Sequence, residues 1–144
     1  MSEEARKVKI VFNSERHDVN TGEDEKTEDI YEGVMKEGLG AYHIKYDEIS
    51  PDDGKVTGNL ITVRGGEMKR KCMGEKSGTM DFISGSETKS KYKTPYGTFD
   101  ISFHTTHMDI KESAEGIDVS LEYIMSVGGE PAADCRLNMN VRYI

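Results

Sequence analysis

Apolar and polar side chains alternate through the last third of the chain, residues 97–144. Apolar side chains of three runs, 99–105, 117–127 and 133–143, fall on odd-numbered positions, and the positions between them are almost all polar. Because successive side chains of a strand point to opposite faces, this pattern predicts strands with one dry face and one wet face. The short turns between the runs favour an antiparallel meander.

The first two thirds of the chain predict further strands of the same kind, separated by turn signals. Among these signals are 37–38, the Pro- and Gly-containing segment 50–54, and the glycine pair at 65–66. No helical pattern longer than two turns is present. The predicted strands cover residues 8–16, 27–36, 39–48, 56–64, 67–73, 79–84 and 87–94.

Residue usage supports an all-β protein, since 20 Val and Ile residues stand against 4 Leu and 5 Ala. The length of 144 residues predicts a single domain over 1–144, with 1–6 as a disordered N-terminus. A meander of this size in a small domain closes into a barrel, because closure removes the exposed sheet edges. The predicted architecture is therefore a single antiparallel meander closed into a β-barrel of about 8–10 strands.

The charge balance restricts the partners that the chain can have. A net charge of −8 repels nucleic acids and anionic membranes, so neither is predicted as a partner. The charged N-terminal segment has no apolar run typical of a signal peptide, and no segment is long enough for a membrane-spanning helix. These features predict a cytoplasmic protein in which Cys72 and Cys135 are buried free thiols.

Three segments carry a resemblance to a known family: YKTPYGTFDI at 92–101, MDFISG at 80–85 and YDE at 46–48. The chain resembles the YwiB-like family of small bacterial proteins over roughly 8–143, and the TPYG segment is the most specific part. The resemblance implies a calycin-like, lipocalin-type β-barrel. It implies no activity and no catalytic residue, and the chain has no Trp to match the first-strand Trp of true lipocalins.

Catalytic and metal-binding patterns are not apparent in the sequence. His104 and His107 would face opposite sides of a strand unless a bulge intervenes, as the change of apolar parity between Phe103 and Met108 allows. Neither cysteine lies beside a histidine, and no nucleophile elbow or phosphate loop is present. We therefore predict a protein that is not an enzyme and that has no catalytic residue, metal or cofactor.

Tyrosines recur on the faces expected to turn inward, which suggests two alternatives. They form either an apolar wall with polar tips around a small apolar or mixed ligand, or a filled core. For the first alternative, Arg64 is the predicted anchor of a ligand acid. The predicted wall residues are Tyr42, Tyr46, Phe99, Phe103, Tyr123 and Met139.

A basic strip at 64–93 contains eight Lys or Arg residues against four acids, although the whole chain is acidic. Such a strip either attracts an anionic or acidic partner, or it protects edge strands from aggregation. The second functional hypothesis is accordingly a protein–protein interaction or regulatory module that acts through its outer surface. Pairing of the strip with the acidic loop at 23–29 would either give a homodimer or hold one end of the barrel together.

Overall fold

A computed structural model describes residues 4–74 and 76–144. Within these ranges the chain folds into ten strands and no helix. The strands are β1 (Arg6–Asp18), β2 (Asp24–Gly38), β3 (Ala41–Ile49), β4 (Val56–Arg64), β5 (Glu67–Gly74), β6 (Gly78–Ile83), β7 (Glu87–Thr94), β8 (Gly97–Ser113), β9 (Gly116–Val127) and β10 (Glu130–Tyr143). Residues 1–3 of the predicted disordered N-terminus lie outside the described residues, and β1 already begins at Arg6.

All ten strands belong to one antiparallel sheet with the order β6-β5-β4-β3-β2-β1-β10-β9-β8-β7. The first and last strands meet in the middle of this order, in a register that runs from Val8 opposite Tyr143 to Asp18 opposite Ala133. Every other neighbouring pair is also consecutive in sequence, as in a meander. The predicted all-β meander, wrapped into a nearly closed barrel, is confirmed.

The barrel closes at a seam between β6 and β7, the two ends of the sheet order. One bridge joins them, in which Ser77 and Lys93 exchange backbone hydrogen bonds of 2.9 and 2.8 Å. At the β6–β7 turn, the Gly85 amide donates to the Thr105 carbonyl of β8 at 2.9 Å, and the Thr105 amide donates to the Ser86 carbonyl at 3.1 Å. In between, the Thr88 hydroxyl donates to the Asp81 carbonyl across the seam. Among the described residues the seam therefore has no continuous ladder.

The apolar core fills one end of the barrel. Its most deeply buried members come from most strands of the sheet and leave at most 1% of their surface exposed. Five odd-numbered apolar residues of β9 and β10 are among them, which confirms that this parity faces inward. These residues are Val8, Ile10, Met35, Ile44, Ile61, Val63, Met68, Ile117, Val119, Leu121, Met139 and Val141.

Two local features differ from the sequence interpretation or refine it. The β2–β3 turn lies at Leu39 and Gly40 rather than at 37–38, and both residues have positive φ, as in a tight hairpin turn. A bulge does interrupt β8 between Thr105 and His107. The extra residue, Thr106, places both His104 and His107 on the outer face, where both are exposed.

Position 33 of β2 requires glycine because the backbone of β3 approaches it closely. It pairs with Val8 on one side and with Tyr46 on the other, and a Cβ at this position would lie 2.2 Å from the Lys45 carbonyl oxygen. We expect Gly33→Ala to lower the free energy of unfolding by about 1–3 kcal/mol, because the clash is with backbone and needs a strand shift. Urea unfolding midpoints measure this loss.

Gly65→Ala is the matched control, since a Cβ there meets no atom within 4 Å and its φ is not positive. We expect a change of less than about 1 kcal/mol at this position. Equal losses at the two glycines would contradict the backbone explanation.

Candidate ligand-binding cavity

A cavity of about 300 Å³ occupies the barrel interior at the end opposite the apolar core. It lies where β1 and β3 approach their C-terminal ends and β2 begins, and residues of β5, β6, β7, β9 and β10 complete the wall. Inward-facing positions of these strands supply the lining because side chains alternate across a strand. The lining residues are Phe12, Ser14, Asp29, Tyr31, Tyr46, Glu48, Met68, Arg70, Lys76, Met80, Phe82, Tyr92, Tyr123 and Leu137.

One aromatic cluster comes from the first three strands. The ring of Tyr31 lies 4.7 Å from that of Tyr46 and 6.0 Å from that of Phe12, measured between centroids. The rings of Phe12 and Tyr46 are 5.7 Å apart. These separations are within the range in which aromatic pairs attract, so the three rings hold one another in place.

A second aromatic cluster comes from β6, β8 and β9. The Phe82 ring lies 4.8 Å from the rings of both Phe103 and Tyr123, and the latter two are 5.6 Å apart. Phe82 and Tyr123 reach the cavity, while Phe103 supports them from behind. The cavity therefore has aromatic surfaces on two separate arcs of the barrel wall.

A polar centre interrupts the aromatic wall. Arg70 of β5 forms an ion pair with Glu48 Oε1 through Nη2 and donates from Nε to Asn59 Oδ1 at 3.1 Å. Asn59 Nδ2 in turn donates to Glu48 Oε1 at 3.2 Å, and the Cys72 thiol donates to Asn59 Oδ1 at 3.2 Å. Burial raises the pKa of the Cys72 thiol, which keeps it protonated. The four side chains form one network that fixes the arginine in place.

The Tyr46 hydroxyl has no hydrogen-bond partner among the described residues, although Tyr46 is only 4% exposed. Burial raises the pKa of this hydroxyl well above its usual range, so it is protonated at neutral pH. A buried hydroxyl without a partner costs free energy, about 1–3 kcal/mol. Asp81, Ser90 and Thr105 also carry a buried polar atom without a partner, but these residues do not line this cavity.

The charges that line the cavity balance. Glu48 and Arg70 neutralise each other inside, and Asp29 and Lys76 are exposed at the mouth. A larger hollow of about 470 Å³ on the surface contains the His17–Asp24 and Arg136–Glu122 pairs. It is lined mostly by exposed charged residues, and none of its described lining residues carries a buried unpaired group, so it is a weaker candidate.

The structure brings together some of the predicted wall residues. Tyr46 and Tyr123 line the cavity, and Phe103 packs directly behind it. Met139 is inside the barrel but belongs to the apolar core. Three of the predicted wall residues therefore lie at or directly behind the cavity.

The remaining predicted residues lie elsewhere. Phe99 is 41% exposed, because β8 begins at the rim of the barrel. Tyr42 lies at the opposite end, where its hydroxyl donates to Glu112 at 2.9 Å beside a hollow of about 290 Å³. Arg64 ends β4 at that same hollow with its side chain exposed, so it does not reach the interior cavity.

The sequence interpretation missed Arg70 and Glu48. Arg70 was counted in the basic strip, yet it stands between Met68 and Cys72 on the inward face of β5. Glu48 likewise shares the inward face of β3 with Tyr46. The signal that could have identified both residues is their spacing: each charged residue lies two positions from a buried residue of the same strand and therefore shares its face.

A family model described as a domain of unknown function, DUF1934, matches residues 10–139. The chain belongs to this family. No curated protein matches the chain. The solved structure of the ywiB protein from Bacillus subtilis has a TM-score of 0.85 and 20% identity, covering 97% of this chain and 93% of that one. The similarity confirms the fold that the YwiB-like resemblance implied for this DUF1934 protein.

Two further findings concern the described ranges of the DUF1934 chain. No helix there has the length and apolar character needed to cross a membrane. In the same ranges, no three side chains of His, Cys, Asp or Glu are grouped so that they could hold a metal ion.

We expect Arg70→Met to lower the free energy of unfolding by about 1–3 kcal/mol. The substitution leaves the Glu48 carboxylate in the barrel without its cation, and the loss is smaller than for a fully buried pair because both side chains retain some exposure. Arg136→Met is the control, because its pair with Glu122 is mostly exposed and should contribute about 0–1 kcal/mol. Equal losses in urea unfolding would show that the interior pair is not structurally important.

Proposed function

We propose that this protein is a non-catalytic binding protein that holds a small ligand of mixed polarity in the interior cavity. The observation that carries the proposal is the Tyr46 hydroxyl, which is buried in the cavity wall and lacks a partner in the part of the chain that the structure describes. A ligand that hydrogen bonds to this hydroxyl would remove the cost of burying it. The volume of about 300 Å³ is at the lower end of the range for ligand pockets.

Binding rather than catalysis is favoured by how the polar groups of the cavity are used. Arg70, Glu48 and Asn59 are engaged with one another, and the Cys72 thiol, protonated by burial, is a poor nucleophile. Aromatic side chains with a few polar groups are typical of small-molecule sites. A cytoplasmic location is part of the proposal, since Cys72 and Cys135 are buried and not joined.

Methionine methyl NMR tests the proposal with indole as the probe. Met68 and Met80 line the cavity, whereas Met73 is exposed on the outside and Met139 lies in the apolar core. We expect indole to shift the methyl signals of Met68 and Met80 in a saturable manner and to leave those of Met73 and Met139 nearly unchanged. Saturation is expected because the probe occupies a cavity of fixed size.

Ser14→Phe provides the matching variant, because Ser14 lines the cavity and a ring at this position fills it. Asn13→Phe places the same ring on the outer face of β1 and should leave the shifts intact. The proposal is wrong if millimolar indole does not change the methyl chemical shifts of Met68 and Met80 in the unsubstituted protein.

A second candidate function is self-association through the outer surface. β5 and β7, which lie on either side of β6, carry five lysines on the outside of the barrel, namely Lys69, Lys71, Lys89, Lys91 and Lys93. None of these forms an ion pair within the described chain. The acidic segment at 23–29 lies at the β1–β2 turn and the start of β2, so a second copy could meet the lysines through it.

Sedimentation at low and high salt tests this second candidate. If the lysines hold a homodimer, we expect it to dissociate as salt screens the attraction, and Lys91→Glu should abolish it at low salt. Lys45→Glu is the control, because Lys45 is exposed on β3 outside the lysine group. A monomer at every salt concentration would contradict self-association.

A further inference from the structure

The polar centre of the cavity leaves specific hydrogen-bonding positions unused. Glu48 accepts both of its bonds at Oε1, and Arg70 donates from Nη2 and Nε. Glu48 Oε2 and Arg70 Nη1 take no part in these bonds, and the Tyr46 hydroxyl has no partner within residues 4–74 and 76–144. A ligand at this position therefore meets a carboxylate acceptor next to two possible donors.

The charge balance of the wall disfavours a ligand with a net charge. Arg70 is already neutralised by Glu48, and the two charges at the mouth, on Asp29 and Lys76, are opposite in sign. An anion or a cation in the interior would lose its hydration without an uncompensated counter-charge to replace it. A neutral ligand avoids this cost.

The aromatic surfaces favour a flat ligand. The cluster of Phe12, Tyr31 and Tyr46 faces the cavity from one arc of the wall, and Phe82 and Tyr123 face it from another. Stacked and edge-to-face contacts with such rings favour an aromatic partner over an aliphatic one. The cavity volume of about 300 Å³ suits one or two fused rings.

We infer that the cavity binds a small neutral planar heterocycle whose edge carries an N–H donor next to a carbonyl acceptor, as in a lactam. The N–H donates to Glu48 Oε2, and the carbonyl accepts from the Tyr46 hydroxyl or from Arg70 Nη1. This assignment of a ligand class rests on the proposed binding function, which requires only that a small molecule occupies the cavity.

Three two-ring compounds test the inference in the methionine methyl NMR assay. Quinazolin-4-one carries the lactam edge, quinoline has a similar shape without it, and quinoline-2-carboxylate adds a negative charge. We expect quinazolin-4-one to bind at least about tenfold more tightly than either of the others, because only it can donate to Glu48 and at the same time accept from the Tyr46 hydroxyl or Arg70. Titrations that follow the Met68 and Met80 signals give the three dissociation constants.

Variants assign the preference to the polar centre. Tyr46→Phe and Glu48→Gln should each reduce the preference for quinazolin-4-one over quinoline by about fivefold or more while quinoline still binds, because the rings that stack on the ligand remain. If Glu48→Gln destabilises the barrel, Tyr46→Phe still tests the assignment. Thr62→Val, on the outward-facing side of β4, is the control and should leave the preference unchanged.

The outcomes separate the two proposals. Equal affinity for quinazolin-4-one and quinoline, or tightest binding of the carboxylate, would overturn the lactam assignment and leave the binding function standing. An absence of Met68 and Met80 shifts with all three compounds would overturn the binding function itself. A lactam preference that survives both Tyr46→Phe and Glu48→Gln would also reject the assignment.

Discussion

The pairing of β1 with β10 is the interaction on which the rest of the barrel depends. The two strands come from opposite ends of the chain, and they join two sequential meanders, β2–β6 and β7–β9, into one sheet. The register places Ile10 opposite Val141 and Phe12 opposite Met139, so the pair also sets which residues enter the core. A slip of one residue would turn the whole inward set toward water, which is why apolar side chains specify the register so strongly.

Along this central pair the barrel interior changes from apolar to polar. Val8 and Ile10 belong to the end that the apolar core fills, whereas Phe12 and Ser14, further along the same face of β1, border the cavity. β3 makes the same transition from Ile44 to Tyr46 and Glu48. Strand alternation therefore builds both regions with one geometry, and the residue types alone decide where the interior is filled and where it stays open.

Much of the architecture could be predicted because β9 and β10 alternate so regularly: Ile117, Val119 and Leu121 all enter the core as their parity requires. The site was harder to predict. Arg70 stands between Lys69 and Lys71 in the sequence, so it is easily taken for another solvated basic residue. The burial pattern of β5 shows instead that it shares the inward face with Met68 and Cys72. Arg64 and Phe99 were misplaced because alternation gives the face of a strand but not the height along the barrel, and both lie at strand ends. The beginning of β2 was missed since its residues at 24–26 are charged and exposed on both faces.

The seam between β6 and β7 has a consequence for how the chain could be reconnected. The start of β1 and the end of β10 already lie side by side, since the Ile144 amide donates to the Lys7 carbonyl at 3.0 Å. If these ends were linked and the backbone were cut at the exposed turn 84–86, the strands would follow one another around the barrel in their order along the new chain. Such a circular permutant would convert the most distant pairing of the molecule into a local hairpin, and proteins with local contacts fold faster. The position of the seam thus shows that the long sequence separation between β1 and β10 is a property of the connectivity and not of the barrel.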